Sequence, residues 1–248
     1  MKPLLRELAR GISDTVFPPV CVHCRGLVEP AVDGGGFRHL CTRCAAQVDY
    51  VRPPHCATCG HPFFGAMEGA RRCVKCEGLE PAFREGRTAV IFKGPARSLV
   101  IELKYHRGLH VLGDMREIFL RSPHVLEFVR GAVLVPVPLH ATRRRHRGYN
   151  QSLLLAEALA AVAGGGARVE PLLRRVVDTR TQTAFDRRTR IANLKNAFAL
   201  AEGARLTPEN HYTLIDDVFT TGSTLNSCAL TLRRAGALNL DVVTFGHG

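Results

Sequence analysis

At 248 residues and 46% hydrophobic content, the chain can hold one sizeable domain and a small one, which excludes disorder as a general description. Thirty-four Lys and Arg against 22 Asp and Glu give a formal charge of +12 and a pI near 9.7, so phosphate-bearing partners are natural ones whose affinity falls with salt. With no Trp and 6% aromatic residues, a base-stacking platform is poorly supplied, and any binding of nucleic acid is expected to be mainly electrostatic.

In chain order, Leu4, Leu5, Leu8, Ile12 and Val16 recur at helical spacing and predict an N-terminal amphipathic helix packed on the rest. Arg6, Glu7 and Arg10 interrupt any secretory apolar region, and no run reaches transmembrane length, so a cytoplasmic protein without membrane insertion is expected. Eight of the nine cysteines then fall into four C-x2-C pairs, Cys21/Cys24, Cys41/Cys44, Cys56/Cys59 and Cys73/Cys76. Each pair can present two thiolates to a tetrahedral zinc, and a reducing compartment favours metal over disulfides. Sixteen residues (25–40) and 13 residues (60–72) separate successive pairs, near zinc-ribbon spacing. Sequential pairing into two sites of four thiolates ranks first, and a cross-braced arrangement second. Four thiolates leave no open coordination position, so both Zn2+ sites are expected to be structural. Residues 1–80, too poor in apolar residues for a core of their own, form a module that metal must stabilise.

From about residue 85 the pattern changes. TAVIFK (88–93), VLVPVP (133–138), YTLIDD (212–217) and DVVTF (241–245) read as strands. Helical patterns occupy about 95–105, 112–121, 150–163, 186–197 and 222–235, and the run 164–166 of three glycines marks a surface loop. Strands alternating with helices predict an α/β domain over 81–248, with a largely parallel sheet, flanking helices and ligands at the carboxyl ends of the strands.

The most informative stretch is LIDDVFTTGST, residues 214–224. Leu214 and Ile215 fit the end of a buried strand, and Leu225, Ala229, Leu232 and Ala235 follow at helical spacing. Thr220, Thr221, Gly222, Ser223 and Thr224 therefore open a helix, whose unpaired N–H groups and hydroxyls make a phosphate cradle that Gly222 lets an anion approach closely. Asp216 and Asp217 suit sugar hydroxyls or a hydrated magnesium ion. One ligand satisfies both halves, a phosphorylated ribose. The stretch resembles the phosphoribosyl pyrophosphate (PRPP) motif of type I phosphoribosyltransferases, with Phe219 bulkier than the aliphatic residue usual there. The resemblance implies a type I phosphoribosyltransferase-like fold, Mg2+ bound with PRPP, and Asp216 and Asp217 on the ribose 2′ and 3′ hydroxyls, in catalytic positions if turnover occurs. Cys228, in the following helix, is read as a buried small residue.

Two arginine-rich runs flank that site. Arg143, Arg144, Arg145 and Arg147 lie between a strand and a helix, where the resemblance places a pyrophosphate loop; residues 174–198, with Arg174, Arg175, Arg180, Arg187, Arg188, Arg190 and Lys195, resemble the mobile loop that closes over PRPP. All are candidates for pyrophosphate or DNA phosphate.

Five segments in order, Phe17-Pro18-Pro19-Val20-Cys21, Leu103-Lys104-Tyr105-His106, VPVPLH…RGYNQ, Asp178-Thr179-Arg180-Thr181-Gln182-Thr183 and the DDVFTTGST loop, resemble the ComF (ComFC-type) proteins of natural competence. The resemblance implies a protein that binds PRPP and handles single-stranded DNA during uptake, with a helicase as partner. The alternative is an active phosphoribosyltransferase passing ribose 5-phosphate to an acceptor that no segment identifies, since none resembles the base-binding hood of nucleobase salvage enzymes. Fold and ligand site permit either.

Overall fold

The computed structural model describes residues 18–29, 36–63, 72–76, 79–177 and 197–248. Among these residues the strands are β1 (Gly86–Ile91), β2 (Val133–Pro136), β3 (Arg168–Val169), β4 (Leu173–Arg175), β5 (Phe198–Leu200), β6 (His211–Phe219) and β7 (Asn239–His247). The helices are α1 (Thr42–Ala45), α2 (Gly94–Tyr105), α3 (Leu112–Leu120), α4 (Pro123–Phe128), α5 (Ala141–Arg147), α6 (Gln151–Ala163) and α7 (Ser223–Arg234). The four apolar runs read as strands are β1, β2, β6 and β7, and they are buried nearly continuously, as parallel strands covered by helices on both faces must be. The helices expected near 95–105, 112–121, 150–163 and 222–235 are α2, α3, α6 and α7. The expected N-terminal helix and the one at 186–197 lie outside the described residues.

The sheet has five parallel strands in the order β1-β7-β6-β2-β3, so the fold is α/β as expected. The chain leaves β2 for β3 on one side and leaves β6 for β7 on the other. The strand order therefore reverses between β2 and β6, and a crevice opens there at the carboxyl ends of both, the usual ligand position in an open α/β sheet. β6 outruns its neighbour: β2 ends at Pro136 opposite Ile215, whereas pairing with β7 continues to Phe219↔His247. The acidic pair thus lies within the strand rather than at its end, on the edge that β2 has vacated. That differs from the sequence expectation because register, which no local pattern encodes, decides how long a strand is held.

The arginine-rich residues 174–198, read as resembling a mobile loop, begin and end in β4 and β5, which pair antiparallel. The arginine run after β2 is not an open loop. It forms α5, whose basic last turn suits the negative end of the helix dipole and which stops at Gly148 in the left-handed conformation, φ 91°.

The cysteine-bearing segments dock on this sheet. The exposed edge of β1 is covered by residues 49–51, with Val51 N donating to the Ala89 carbonyl at 2.9 Å and Ile91 N to the Asp49 carbonyl at 2.9 Å. Asp114 on α3, buried at 1% exposure, accepts from the Arg38 and His39 amides at 2.9 and 2.8 Å. Burial raises the Asp114 pKa against the pull of those amides. Val22, Val28, Leu40 and Val48 join the same apolar cluster as Leu99, Leu103, Ile118 and Phe245. The core missing from the N-terminal segment is therefore borrowed from the α/β domain.

Candidate functional site

At the crevice between β2 and β6, two segments quoted above only as family signatures converge on the acidic pair. Asp217, 5% exposed, receives the Lys104 ammonium on Oδ1 at 2.7 Å and the Gln151 amide nitrogen on Oδ2 at 2.9 Å. Asp216, half-buried, accepts on Oδ1 from the Ser152 hydroxyl and from the Asp217 amide, both at 2.9 Å. Gln151 and Ser152 are the first residues of α6, which starts here because the Asn150 side chain caps it by accepting from Ser152 N at 3.2 Å. Asn150 also donates to the Val137 carbonyl at 3.0 Å, pinning the cap to the end of β2. Arg147 donates to Gln151 Oε1 and so fixes which end of that amide faces Asp217.

Electrostatically the pair is one site. Burial, then the adjacent Asp217 carboxylate, push the Asp216 pKa up to about 7, against the opposing charge of Lys104. Two adjacent carboxylates, one buried and one half-buried, thus resist carrying two charges, and Lys104 stands where a cation offsets them.

Beyond Phe219 the chain turns through Thr220 and Thr221 to Gly222, which sits at the helix N-cap with φ 71° and no side-chain cap on α7. A Cβ at Gly222 would lie 2.6 Å from the Phe219 ring and 3.3 Å from Leu79, so both the conformation and the space require glycine. Thr221 Oγ1 lies 3.0 Å from Ser223 Oγ, while Thr220 is exposed and Thr224 half-buried. Hydroxyls and first-turn amides thus gather beside the acidic pair, and the dipole of α7 favours an anion among them. Cys228 on the same helix is fully buried, as expected.

Asp216 and Asp217 lie on β6, and Thr220, Thr221, Gly222, Ser223 and Thr224 form the turn and helix start that follow it directly. Arg144 and Arg145 are exposed on α5 and Arg143 is half-buried there, whereas Arg147 is tied to the acidic pair through Gln151. Arg174 and Arg175 belong to the β4–β5 ribbon, donating to the carbonyls of Leu200 and Val177. Arg187 and Arg188, with Arg180, Arg190 and Lys195, lie outside the described residues. The sequence reading gave no role to Lys104, Gln151 or Ser152. Its only signal for Lys104 and Gln151 was their place in the quoted segments Leu103-Lys104-Tyr105-His106 and RGYNQ, and Ser152 follows the latter directly. Beside the crevice, a groove of about 420 Å³ at the carboxyl end of β2 is lined by Pro136, Pro138, Leu139, Tyr149 and Leu173, with Arg144 at its rim.

The cysteines form two clusters, Cys21/Cys24/Cys41/Cys44 and Cys56/Cys59/Cys73/Cys76, each with its sulfurs within 4.8 Å of one another. Sequential pairing is therefore the arrangement present and the cross-braced one is not. Four sulfurs about 2.3 Å from a tetrahedral zinc stand about 3.8 Å apart. The pairs Cys24–Cys41, Cys59–Cys73 and Cys56–Cys76 stand at 3.7, 3.5 and 3.9 Å, so both donor sets fit zinc. Thiol contacts with Cys59 and Cys76 hold the Cys56 thiol well below the ordinary cysteine range, and the Cys56 contact pushes Cys76 up to about 12. The second cluster is wholly buried, whereas Cys24 of the first is exposed.

Residues 12–77 match the double zinc ribbon domain family. The chain is 31% identical over 228 residues to competence protein F of Haemophilus influenzae, covering 90% of this chain and 94% of the relative. It is 32% identical over 232 residues to DNA utilization protein YhgH of Salmonella typhimurium, covering 91% and 95%, and 25% identical over 208 residues to competence protein ComFC of Bacillus subtilis, covering 79% of each. Among solved structures, a hypoxanthine phosphoribosyltransferase from Staphylococcus aureus overlaps 54% of this chain and 62% of its own, at 16% identity and a TM-score of 0.34.

Proposed function

The chain belongs to the competence protein F family, which includes the DNA utilization protein YhgH, and from that membership we propose that it binds PRPP with magnesium and handles single-stranded DNA in the cytoplasm during DNA uptake. The observation that carries the ligand is the succession, where the strand order reverses, of a carboxylate pair and a glycine-started helix turn in which Thr221 Oγ1 accepts from the Ser223 amide at 3.4 Å. Carboxylates accept hydrogen bonds from vicinal sugar hydroxyls, amides and hydroxyls of the turn hold the 5′-phosphate, and a phosphorylated ribose presents both. The DNA part is supported by the names of the relatives, a competence protein and a DNA utilization protein, and by the charge of +12. Arg144 beside the groove and the exposed Arg145 on α5 are the phosphate contacts proposed here, with Arg187 and Arg188 as further candidates. A helicase partner remains part of the reading. At each cysteine cluster a zinc would supply a fold-stabilising cross-link through four thiolates.

A single titration series tests both halves. Calorimetry with Mg2+ and PRPP is expected to give saturable binding that Asp217→Asn weakens at least tenfold, and a single-stranded oligonucleotide is expected to shift at low salt. Absence of PRPP heat with the wild-type protein ends the ligand reading, and an unshifted oligonucleotide ends the DNA reading. Repeating the DNA titration at saturating PRPP measures any coupling, which must be reciprocal.

A second reading, turnover to an acceptor, is favoured by the groove beside the crevice. Its volume of about 420 Å³ lies in the range of small-molecule sites, and its apolar walls with one arginine suit a planar heteroaromatic ring. PRPP-dependent pyrophosphate release on adding nucleobases is the expected sign of it.

A further inference from the structure

Lys104 is the one cation among the described residues that touches the acidic pair directly. Its ammonium is 2.7 Å from Asp217 Oδ1, with the lysine side chain 20% exposed and the aspartate side chain 7%. The root of that side chain is held firmly. Tyr149 Oη donates to the Leu103 carbonyl, and Arg107 donates to the His146 carbonyl at 2.8 Å, so the end of α2 is fastened to the junction of α5 and α6. The four-carbon stem beyond it is flexible and ends in a compact charge. Asp217 does not depend on Lys104 alone. Gln151 holds Oδ2, and Arg147 holds Gln151. If the ammonium swung away, one carboxylate oxygen would keep its donor and the other would become available to a hydroxyl.

We propose, resting on the PRPP reading of this site, that Lys104 is an anion-reading residue: on ligand entry its ammonium passes from Asp217 to a phosphate oxygen of the pyrophosphate, and Asp217 Oδ1 is released to a ribose hydroxyl. No proton moves and no bond is made or broken beyond the exchange of one ion pair for another. The exchange couples the two ends of the ligand. A sugar phosphate without pyrophosphate leaves Lys104 on Asp217 and must compete with it for the carboxylate, whereas PRPP supplies the partner that draws the lysine away. Lys104 therefore sets selectivity for the pyrophosphate-bearing sugar phosphate over ribose 5-phosphate. An ion pair that only braces the fold predicts no such selectivity.

The test compares PRPP with ribose 5-phosphate by calorimetry, in magnesium buffer, on wild type and Lys104→Gln. Removing the ammonium also leaves a buried carboxylate without its counter-charge, but that cost falls on both ligands and cancels in their ratio. The wild-type preference for PRPP is expected to drop by about tenfold or more in the variant, the size expected for one hydrogen bond between charged groups. An unchanged ratio overturns the proposal while leaving PRPP binding intact; a wild-type protein that binds neither ligand overturns the underlying reading with it. A measurement on protein of native charge guards against misfolding of the variant. After reductive 13C-methylation of lysines, the Lys104 resonance, assigned by its loss in Lys104→Arg, is expected to shift with PRPP and stay in place with ribose 5-phosphate. Equal shifts with both ligands, or none with PRPP, overturn the proposal.

Discussion

Replacing Gly222 by alanine puts the phosphate turn under a strain whose size follows from its surroundings. The residue has φ 71°, which costs a side-chain-bearing residue about 1–2 kcal/mol. Its new Cβ would stand 2.6 Å from Phe219 Cζ, and Phe219 has little room to retreat, being 1% exposed and stacked on His247 at 5.3 Å between ring centroids. Overpacking of this kind costs about 1–3 kcal/mol. If the turn holds its shape, the sum is about 2–5 kcal/mol, or a fall in Tm of roughly 4–20 °C for a chain of this size. If the turn swings outward instead, stability is spared but the first amides of α7 leave the cradle, and losing even one charge-assisted hydrogen bond weakens a phosphate ligand by about tenfold or more. Thermal unfolding and PRPP calorimetry on the same preparation measure both routes. Gly113→Ala is the matched control: it lies in α3 with nothing within 4 Å of the added methyl group, and should be neutral or stabilising by up to about 1 kcal/mol. A Gly222→Ala protein that melts within a degree of wild type and binds PRPP as tightly refutes the reasoning.

Asp216 makes a pH signature. Its folded pKa of about 7 lies above the unfolded value near 3.9, so its contribution to stability is full below about pH 4 and is lost as pH rises through 7, reaching about 4 kcal/mol. Urea unfolding between about pH 5.5 and 8.5 should therefore show wild type losing stability relative to Asp216→Asn as pH rises, zinc-ligand effects being common to both; parallel curves would sink the assignment. The two cysteine clusters should also differ in reach. Leu79 N donates to the Cys76 carbonyl at 3.1 Å, and Asn226 on α7 bonds to both Glu80 and Ala82, so the second cluster leans on the phosphate helix while the first leans on α2 and α3. Cys76→Ser is expected to weaken PRPP by about 5- to 20-fold, a coupling of roughly 1–2 kcal/mol, and Cys24→Ser to leave it within about twofold. Equal losses in calorimetry would show that the clusters act alike.

Much of this site was legible because its chemistry is local. Asp216 to Thr224 is one unbroken stretch in which strand end, acidic pair, turn and helix start each leave a residue-level mark, and C-x2-C pairs carry their ligand geometry in their spacing. Elements of two or three residues, such as β3, β4 and β5, carry too little periodicity to be read, and α5 was hidden because a basic run reads alike as a loop or as a dipole-matched last turn. The partners of the acidic pair were hidden for another reason. Lys104 is separated from Asp217 by the whole of α3 to α6 and most of β6, and Gln151 and Ser152 stand 66 and 64 residues from the carboxylates they hold. No spacing rule connects them. What connects them is the reversal of strand order between β2 and β6, which leaves the acidic pair without a neighbour on one side and seats the start of α6 there. A lysine on α2 can then reach a gap that exists only once four strands have assembled, so the charge balance of the site is a property of the topology. That explains why a motif legible in eleven residues left its own counter-ion unread.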